Sequence, residues 1–480
     1  MIRDDKGAMT TFLAMLFLVF MLLISVCVEG IYTYVARGKA AGAFMAGLSH
    51  VHGNYQKELE ETYHIFAMDP RYQKEMPEDL SEKMKESLEG SKDSFLFQTG
   101  NAGMEKKVYL TDQEGEVLKY QIRELMKYQM GKDAIDLWRK KWNQSQEAKN
   151  EIPQIEEKME QEGKKGEEKE QKDKTKTIEK KQDPRKGLMK RLREGSVSLI
   201  MGERKVSSLA VISSYGKKDT TKEKTWNFMK KKEMKEQLHD IQKKVSGTSL
   251  ISELPAVLYS LKYLHCLTSK QKKEGLQYEV EYLIAGKDSE KENLGSVFWK
   301  MIALRFPVNG AYVYKSPEKE KEASVLAASV LGLTGIPPLI AAAKHLLLLA
   351  LAYGESVIDV RNLADGNQVP MVKNAANWQL SFSGLATLTS EKKPVKKGLS
   401  YEDYLGILLM MKNSEKEKYM RMMDVMEQNI RRKVPDFKLD QCVASCTISM
   451  NISLKKLSFG GMTLPFPQWS KWNFKRTLTY

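Results

Sequence analysis

The strongest hydrophobic pattern of this chain lies near its start. No charged side chain occurs from Ala8 to Val28, and a helix of this length is about 31 Å long, enough to cross a hydrocarbon core of about 30 Å. A secretory signal has a shorter apolar core and a small-residue cleavage site, whereas Glu29 and Tyr32 follow here. The pattern therefore predicts a leader at residues 1–7 and a transmembrane helix at residues 8–34.

The residues that flank this segment bear on its depth and orientation. Tyr32 suits the membrane interface, and Glu29 at the same boundary is expected to lie in water. Two basic residues precede the segment and two soon follow it. The preference of positive charge for the cytoplasmic side therefore hardly distinguishes the two possible orientations of the helix. The short leader favours a cytoplasmic N-terminus with the bulk of the chain outside the cell membrane.

The helix is predicted to continue beyond the membrane over residues 35–69, where no proline occurs. Gly38, Gly42 and Ala46 recur at four-residue spacing, which lets two helices approach closely. These three residues are candidate helix-packing positions. The alternative is a flexible stalk, because glycine weakens a helix by about 1 kcal/mol.

Two later segments alternate apolar and polar residues with the period of a strand. Residues 442–454 have an apolar side chain at every second position, which places Cys442 and Cys446 on one inner face as buried thiols. Residues 276–284 alternate in the same way and also predict a strand.

Helical signals dominate the rest of the chain. Residues 116–142 predict one helix, and residues 323–360 predict two apolar helices separated by Gly335 and two prolines. The second of these contains charged residues, so a buried hairpin is favoured over a second span at residues 339–353. Capping-box signatures mark three further helix starts, at Ser289/Glu292, Ser400/Asp403 and Ser414/Glu417.

Composition divides the chain further. Residues 147–187 contain twelve basic and twelve acidic residues and few apolar ones, which predicts a charged low-complexity linker. Residues 70–146 then form a small α/β or helical region, and residues 188–480 form an extracytoplasmic α+β domain. The predicted fold class is α+β, mostly helical, with a few antiparallel strands behind a membrane helix that continues as a stalk.

The net charge of +15 favours anionic partners. Lipid headgroups or anionic cell-wall polymers fit a protein outside the membrane better than nucleic acid does. His265 and His345 lie in apolar surroundings, and no nucleotide-binding, zinc or nucleophile motif occurs in the sequence. The acidic pairs Asp288/Glu290 and Glu402/Asp403 lie at helix starts, where capping explains them. No catalytic, metal or cofactor site is therefore predicted.

The start of the chain resembles a known kind of protein. GAMTTFLAMLFLVFMLLISVCVEGIYTYVARGKAAGAF, followed by YHIFAMD at Tyr63 to Asp69, is similar to an uncharacterised family of Gram-positive surface proteins. That family is similar in turn to the TadE/TadG-like pseudopilins of tight-adherence (Flp) pilus systems. LQYEVEYLIAGKDSEKENL, AYGESVIDVRNLADGNQVPMVK, GLSYEDYLGILLMM and FKLDQCV carry the same resemblance in the second half.

The resemblance implies a pilin-type stalk, pilin-like or secretion-system partners, and a leader processed at Gly7 and Ala8. Processed pilins carry a glutamate five residues after the cleavage glycine, where this chain has Phe12, and this departure argues against cleavage. The leading hypothesis is a non-enzymatic, single-pass structural or assembly component. The alternatives are an anchored cell-wall enzyme that uses His265, Asp288 or His345, and an anchored adhesin that binds polyanions.

Overall fold

The computed structural model describes residues 6–89, 95–150, 187–188, 191, 195–216, 250–270, 274–331, 337–390, 395, 397–411, 414–456 and 469–480. The chain divides into two compact units. Unit 1 comprises Met1–Gln113 and Asp436–Tyr480, and unit 2 comprises Glu114–Pro435. The final segment thus groups with the first one, which differs from the predicted domain 188–480. The predicted linker at 147–187 lies almost wholly outside the described residues.

Unit 1 contains one long helix, two shorter helices and an antiparallel sheet. The helices are α1 (Lys6–His52), α2 (Lys57–Tyr63) and α3 (Tyr72–Glu89), and the strands are β1 (Phe97–Tyr109), β2 (Val443–Lys455) and β3 (Trp469–Thr479). Strand β2 lies in the centre of the order β1-β2-β3, with Ile448 opposite Met104 and Met450 opposite Phe474. The predicted strand at 442–454 is confirmed, and Cys442 and Cys446 are buried thiols.

The core of unit 1 is almost entirely apolar. It forms where the second half of α1 and helix α3 cover one face of the sheet. Its buried members are small, branched or sulfur-containing: Ala40, Ala43, Phe44, Leu48, Val51, Met68, Met76, Leu80, Met84, Ala102, Val443, Cys446, Ile448, Met450 and Ile452. The polar face of β2, with residues such as Asn451 and Lys455, points away from this core.

Helix α1 continues beyond the apolar segment as predicted, but it ends at His52 rather than near residue 69. The Asn54 side chain donates to the carbonyl of His50 at 3.0 Å, and the Gly53 amide donates to the carbonyl of Ser49. These bonds close the last turn. Met68 then forms bridges to Tyr55 and Val443, so the YHIFAMD segment ends beside the sheet.

Unit 2 is helical in its described part. Its helices are α4 (Glu116–Gln129), α5 (Lys132–Asn150), α6 (Ser196–Met201), α7 (Leu250–Tyr263), α8 (Glu279–Ala285), α9 (Glu290–Lys315), α10 (Pro317–Leu331), α11 (Pro337–Ala364), α12 (Tyr401–Met411) and α13 (Glu415–Ile430). With the sheet of unit 1, this confirms a mostly helical α+β fold with antiparallel strands.

All three capping-box predictions are confirmed. The Ser289 hydroxyl accepts from the Glu292 amide at 3.3 Å, and the Ser414 hydroxyl accepts from the Glu417 amide at 3.2 Å. At Ser400 the exchange is reciprocal. Its hydroxyl accepts from the Asp403 amide at 3.3 Å, and its own amide donates to the Asp403 carboxylate at 2.9 Å.

Two predicted elements are wrong. The helix predicted at 116–142 is interrupted after Gln129, where Met130 adopts an extended conformation next to Gly131. The strand predicted at 276–284 is instead the short helix α8, whose residues are all buried. The alternation of apolar and polar residues gives a wrong prediction at these positions because the intervening Glu279 and Glu281 are as buried as their apolar neighbours.

The apolar segment at 323–360 forms two helices, α10 and α11, and the break between them at 332–336 lies outside the described residues. About 67% of the most apolar window of α11 is buried inside the protein, against α9 and α10. Lys344 on α11 pairs with Glu320 on α10 at 2.7 Å. Helix α11 therefore packs as a core helix of unit 2, and it ends before Gly366, which has a φ of +79°.

Candidate functional site

The first half of α1 is exposed along almost its whole described length. Every residue from Met9 to Val28 is exposed except Ser25, which is half-buried. Large apolar side chains point outward all around the helix, with Phe17 63% exposed and Leu13 67% exposed. A helix that is apolar on every side needs an apolar surrounding, and this one is long enough to cross a bilayer.

A set of polar and aromatic contacts marks the end of the apolar segment. Glu29 forms an ion pair with Lys456 at 3.1 Å, and both side chains are largely buried. Tyr32 packs on Phe95 with 4.7 Å between ring centroids, and the Lys39 ammonium lies 5.1 Å from the centroid of the same ring. Glu29 thus has a specific partner, which the sequence pattern did not reveal.

The second half of α1 presents two different faces. On the inner face, Ala36, Ala40 and Ala43 are buried, and a β-carbon added at Gly47 would lie 2.6 Å from Leu80 Cδ1. The small residues at this spacing are what allow α3 to approach closely. The spacing in the sequence predicts packing at the neighbouring row of small residues, and it does not distinguish the two rows.

The predicted row Gly38, Gly42 and Ala46 lies on the outer face. All three residues are exposed, and a β-carbon at Gly38 or Gly42 would meet no atom within 4 Å. Tyr34 and Met45 on the same face are 81% and 48% exposed. The chain does not use this row for its own packing, so contact with another helix stays a prediction.

The predicted processing positions Gly7 and Ala8 lie within the first turns of α1, which begins at Lys6. Their side-chain surroundings lie outside the described part of the chain.

Unit 1 also contains an open polar cleft of about 350 Å³ beside α2. Opposite charges line it, including Lys57, Glu58, Asp69, Arg71 and Glu75. The Arg71 guanidinium already donates to both carboxylate oxygens of Asp69, at 2.7 and 3.1 Å. The charges of these two residues therefore neutralise each other within the cleft.

The histidines contact separate structural groups. His50 lies 3.0 Å from Asp79, and the His52 ring packs on that of Tyr480. In unit 2, the His345 ring hydrogen-bonds the Tyr314 hydroxyl at 2.6 Å, and His265 lies 4.0 Å from Glu279. Among the described residues, no three or more His, Cys, Asp or Glu side chains are arranged to hold a metal ion.

Unit 2 contains three buried glutamates close together in sequence, Glu279, Glu281 and Glu290. Each accepts hydrogen bonds from the backbone of a loop. Glu279 accepts from the His265 amide at 2.8 Å, and Glu281 accepts from the Leu267 amide at 2.9 Å. Glu290 lies in the first turn of α9, at a helix start as predicted, and its carboxylate accepts from the Tyr278 amide at 2.8 Å.

Glu281 has the most distinctive electrostatics of the three. Its Oε1 also accepts from the Tyr401 hydroxyl at 2.9 Å, while its Oε2 has no hydrogen-bond partner among the described residues. Burial raises the pKa of this carboxyl group to about 7. Burial likewise raises the pKa of the nearby Cys266 thiol to about 11, so this thiol stays protonated near neutral pH and is a poor nucleophile.

A balanced ionic network lies in the centre of unit 2. Arg305 on α9 contacts Asp359 on α11 at 2.9 Å, and Lys373 lies 2.7 Å from Asp359 and 2.6 Å from Glu355. All four side chains are fully buried. Burial alone would raise the pKa of Asp359, but Lys373 and Arg305 outweigh it and hold that pKa below its usual value.

Neutral groups complete this network. Arg305 donates to the Met371 carbonyl at 2.6 Å, and Asn309 donates to both Ser356 and Asp359 at 2.9 Å. The network joins two helices to the loop that follows α11. Because its charges are satisfied by one another, it is a structural centre of unit 2.

These features define a class of protein: a mostly helical chain with an exposed apolar N-terminal helix joined to a small antiparallel sheet. A family model matches residues 173–454, more than half of the chain. The chain therefore belongs to this family, a family of unknown function (DUF5702). The matched region begins after α1, so the apolar helix lies outside it.

The other two comparisons contribute no relative. No curated protein matches the chain, and no solved structure matches it.

Proposed function

We propose that this protein is a non-enzymatic, membrane-anchored structural or assembly component that resembles the pseudopilins of tight-adherence pilus or related secretion systems. Its N-terminal helix crosses the cell membrane once, with the leader in the cytoplasm and with the sheet of unit 1 and all of unit 2 outside. Its partners are pilin-like helices, and its outer surface meets lipid headgroups or anionic wall polymers.

The continuity of α1 supports this proposal most strongly. One helix of 47 residues, roughly 70 Å long at 1.5 Å per residue, contains both the exposed apolar half and the half that packs on the sheet. An anchor on a loose linker would transmit no orientation to the rest of the chain. A single continuous helix fixes the sheet relative to the membrane segment, which an ordered assembly requires.

The outer face of α1 offers the surface for such an assembly. Gly38 and Gly42 have open space where a side chain would lie, and they continue the line of the apolar segment toward the sheet. Small residues let a neighbouring helix approach until the two backbones are in contact. A second α1-type helix would therefore fit along this face.

Substitution of Gly42 tests this arrangement. Gly42→Leu places a large side chain on the outer face, where the isolated chain has room for it, so the fold should persist while helix–helix association is lost. Gly42→Ala is the matched control, since it brings a similar gain in helix propensity with little added bulk. The measurement is the set of partners recovered with the full-length protein after mild solubilisation of native membranes.

The expected result is recovery of pilin-like or further α1-type chains with the native protein and with Gly42→Ala, and their loss with Gly42→Leu. Sequencing the N-terminus of the same material shows whether the chain begins at Met1 or is cut at Gly7. Recovery of the native protein only as a free monomer, or equal partner recovery for all three proteins, would contradict the proposal.

A further inference from the structure

We propose that one end of the sheet in unit 1 is a binding surface for anionic phospholipid headgroups. This surface, the sheet base, consists of Phe95, Leu96, Lys455, Lys456, Trp469 and Lys471. The proposal depends on the membrane anchoring proposed above, and it adds a second, headgroup-dependent contact between protein and bilayer.

Strand register brings these residues together. Lys455 at the end of β2 lies opposite Trp469 at the start of β3, and Ser453 lies opposite Lys471. The start of β1 joins them, because the Lys455 amide donates to the Leu96 carbonyl at 3.0 Å. All three strands therefore contribute to the same end of the sheet.

Contacts with α1 place the sheet base at the level where the apolar segment ends. Lys456 pairs with Glu29 at 3.1 Å, and Phe95 packs on Tyr32. Val28, the last residue of the uncharged segment, directly precedes Glu29. If residues 8–28 fill the hydrocarbon core, Glu29 and Tyr32 lie in the headgroup layer, and so do the groups that contact them.

The chemistry of the sheet base suits that layer. Leu96 is 60% exposed and Trp469 is 37% exposed, and tryptophan is enriched at membrane interfaces. Lys455 and Lys471 are exposed beside them. No Asp or Glu occurs from Val443 to Tyr480, while five Lys or Arg do. Within the described part of the chain, the carboxylate of Glu29 contacts this end of the sheet, and it is already paired with Lys456.

The sheet itself offers a matched control. Lys106 and Lys107 are also exposed and also lie on the sheet, but near the far end of β1, about 30 Å from Phe97 at about 3.3 Å per residue. Replacing these two lysines changes the total charge by the same amount as replacing Lys455 and Lys471. Only the second pair should affect a headgroup contact at the sheet base.

The experiment uses the full-length chain in phosphatidylcholine vesicles with and without phosphatidylglycerol. Hydrogen exchange is followed at the amides of residues 95–98 and 469–472, and flotation after an alkaline carbonate wash reports separately whether the chain is anchored. We expect slower exchange at both segments only when phosphatidylglycerol is present, and we expect high salt to abolish the difference.

Lysine substitution gives the decisive comparison. Since each lysine near an anionic surface changes partitioning about fivefold, Lys455→Gln/Lys471→Gln should reduce the lipid-dependent protection by about tenfold or more. Lys106→Gln/Lys107→Gln should leave it unchanged. Adding a soluble wall polyanion should not reproduce the protection; if it does so as well as phosphatidylglycerol vesicles, the headgroup assignment is overturned.

The two proposals fail in different ways. An anchored chain whose exchange is the same in both lipids, or one equally affected by the two lysine pairs, would overturn the headgroup surface and leave the anchor intact. A chain removed by carbonate would overturn the anchor. Protection that still required phosphatidylglycerol would then support the surface as a peripheral contact.

Discussion

The cores of the two units differ in how much charge they bury. Unit 1 buries alanine, methionine and branched side chains between α1, α3 and the sheet, with no ion pair among that cluster. Unit 2 buries two cations and two carboxylates at its centre. It also buries Glu281 on α8, one of whose carboxylate oxygens has no hydrogen-bond partner among the described residues. An apolar core tolerates exchange of similar volumes, whereas buried charges require each partner in place.

The largest effect is expected from breaking the ionic network of unit 2. Asp359→Asn removes the carboxylate that faces both Arg305 and Lys373, and loss of one partner of a buried pair destabilises by about 3–5 kcal/mol. Chemical denaturation followed by hydrogen exchange at α9 would measure the loss, and exchange at β2 would report unit 1 separately.

The matched control is Asp136→Asn, which breaks the exposed pair with Arg139 on α5. Exposed pairs contribute about 0–1 kcal/mol. If the two substitutions had similar effects, the network would not be the centre of unit 2.

The apolar core of unit 1 should respond to volume instead. Leu80→Ala removes the side chain packed on Gly47 and should cost about 2–5 kcal/mol. Gly47→Ala alone should destabilise by about 1–3 kcal/mol, because its β-carbon would overlap Leu80. In the Leu80→Ala background, Gly47→Ala should become neutral or stabilising, because its β-carbon partly fills the cavity that the loss of the leucine side chain leaves.

A double-mutant cycle on the denaturation of unit 1 measures this coupling. Additive effects of the two substitutions would show that α1 and α3 are not in close contact at this point.

Glu281→Gln tests whether the buried charge of Glu281 destabilises unit 2. The pKa of Glu281 is raised from 4.5 to about 7, so stability is highest when the carboxyl is protonated. Its contribution falls as pH rises from about 4.5 to about 7. The glutamine variant lacks this dependence on pH. Above pH 7 its free energy of unfolding should therefore exceed that of the native protein by at most about 3 kcal/mol, at about 1.36 kcal/mol per pKa unit.

The measurement is the difference in unfolding free energy between the two proteins across pH 5–8.5, in which other titrating groups cancel. Glu402→Gln, close by but with hydrogen bonds from Thr268 and Ser400 rather than an unpaired oxygen, serves as the control. A constant difference across this pH range would contradict the raised pKa.

The smallest effects are expected at the N-caps of two helices in unit 2. Ser289→Ala and Ser414→Ala each remove one N-cap bond to a helix amide and should each cost about 1 kcal/mol. Ser289→Thr and Ser414→Thr should keep most of the stability. A loss much larger than this in either alanine variant would show that the cap has a tertiary role.

The same contrast explains what could be predicted from the sequence. Elements governed by local rules were predictable, including the β2 strand, the capped helix starts and the long apolar helix. The strand predicted at 276–284 is wrong because Glu279 and Glu281, the polar members of the alternating pattern, lie inside the protein, where the loop amides of His265 and Leu267 donate to them. Such partners are distant in sequence and leave no periodic signal.

The candidate site was predictable in part for the same reason. The apolar composition of residues 8–28 is enough to predict the long exposed helix. The ion pair between Glu29 and Lys456 joins residues more than four hundred positions apart, and the choice between two small-residue rows on α1 depended on where α3 packs. Tertiary contacts decided both questions, and the sequence contains no local trace of them.

The order of the strands has a consequence for biosynthesis. Strand β1 ends at Tyr109, and its partner residue Val443 follows only after the whole of unit 2. Until β2 is synthesised, β1 has an unpaired strand edge and α1 has an uncovered apolar face. The helices of unit 2 depend on contacts closer in sequence and can form earlier. Completion of unit 1 is therefore a late event in folding, and a chain stopped before residue 443 would leave α1 attached to an unfinished, aggregation-prone sheet.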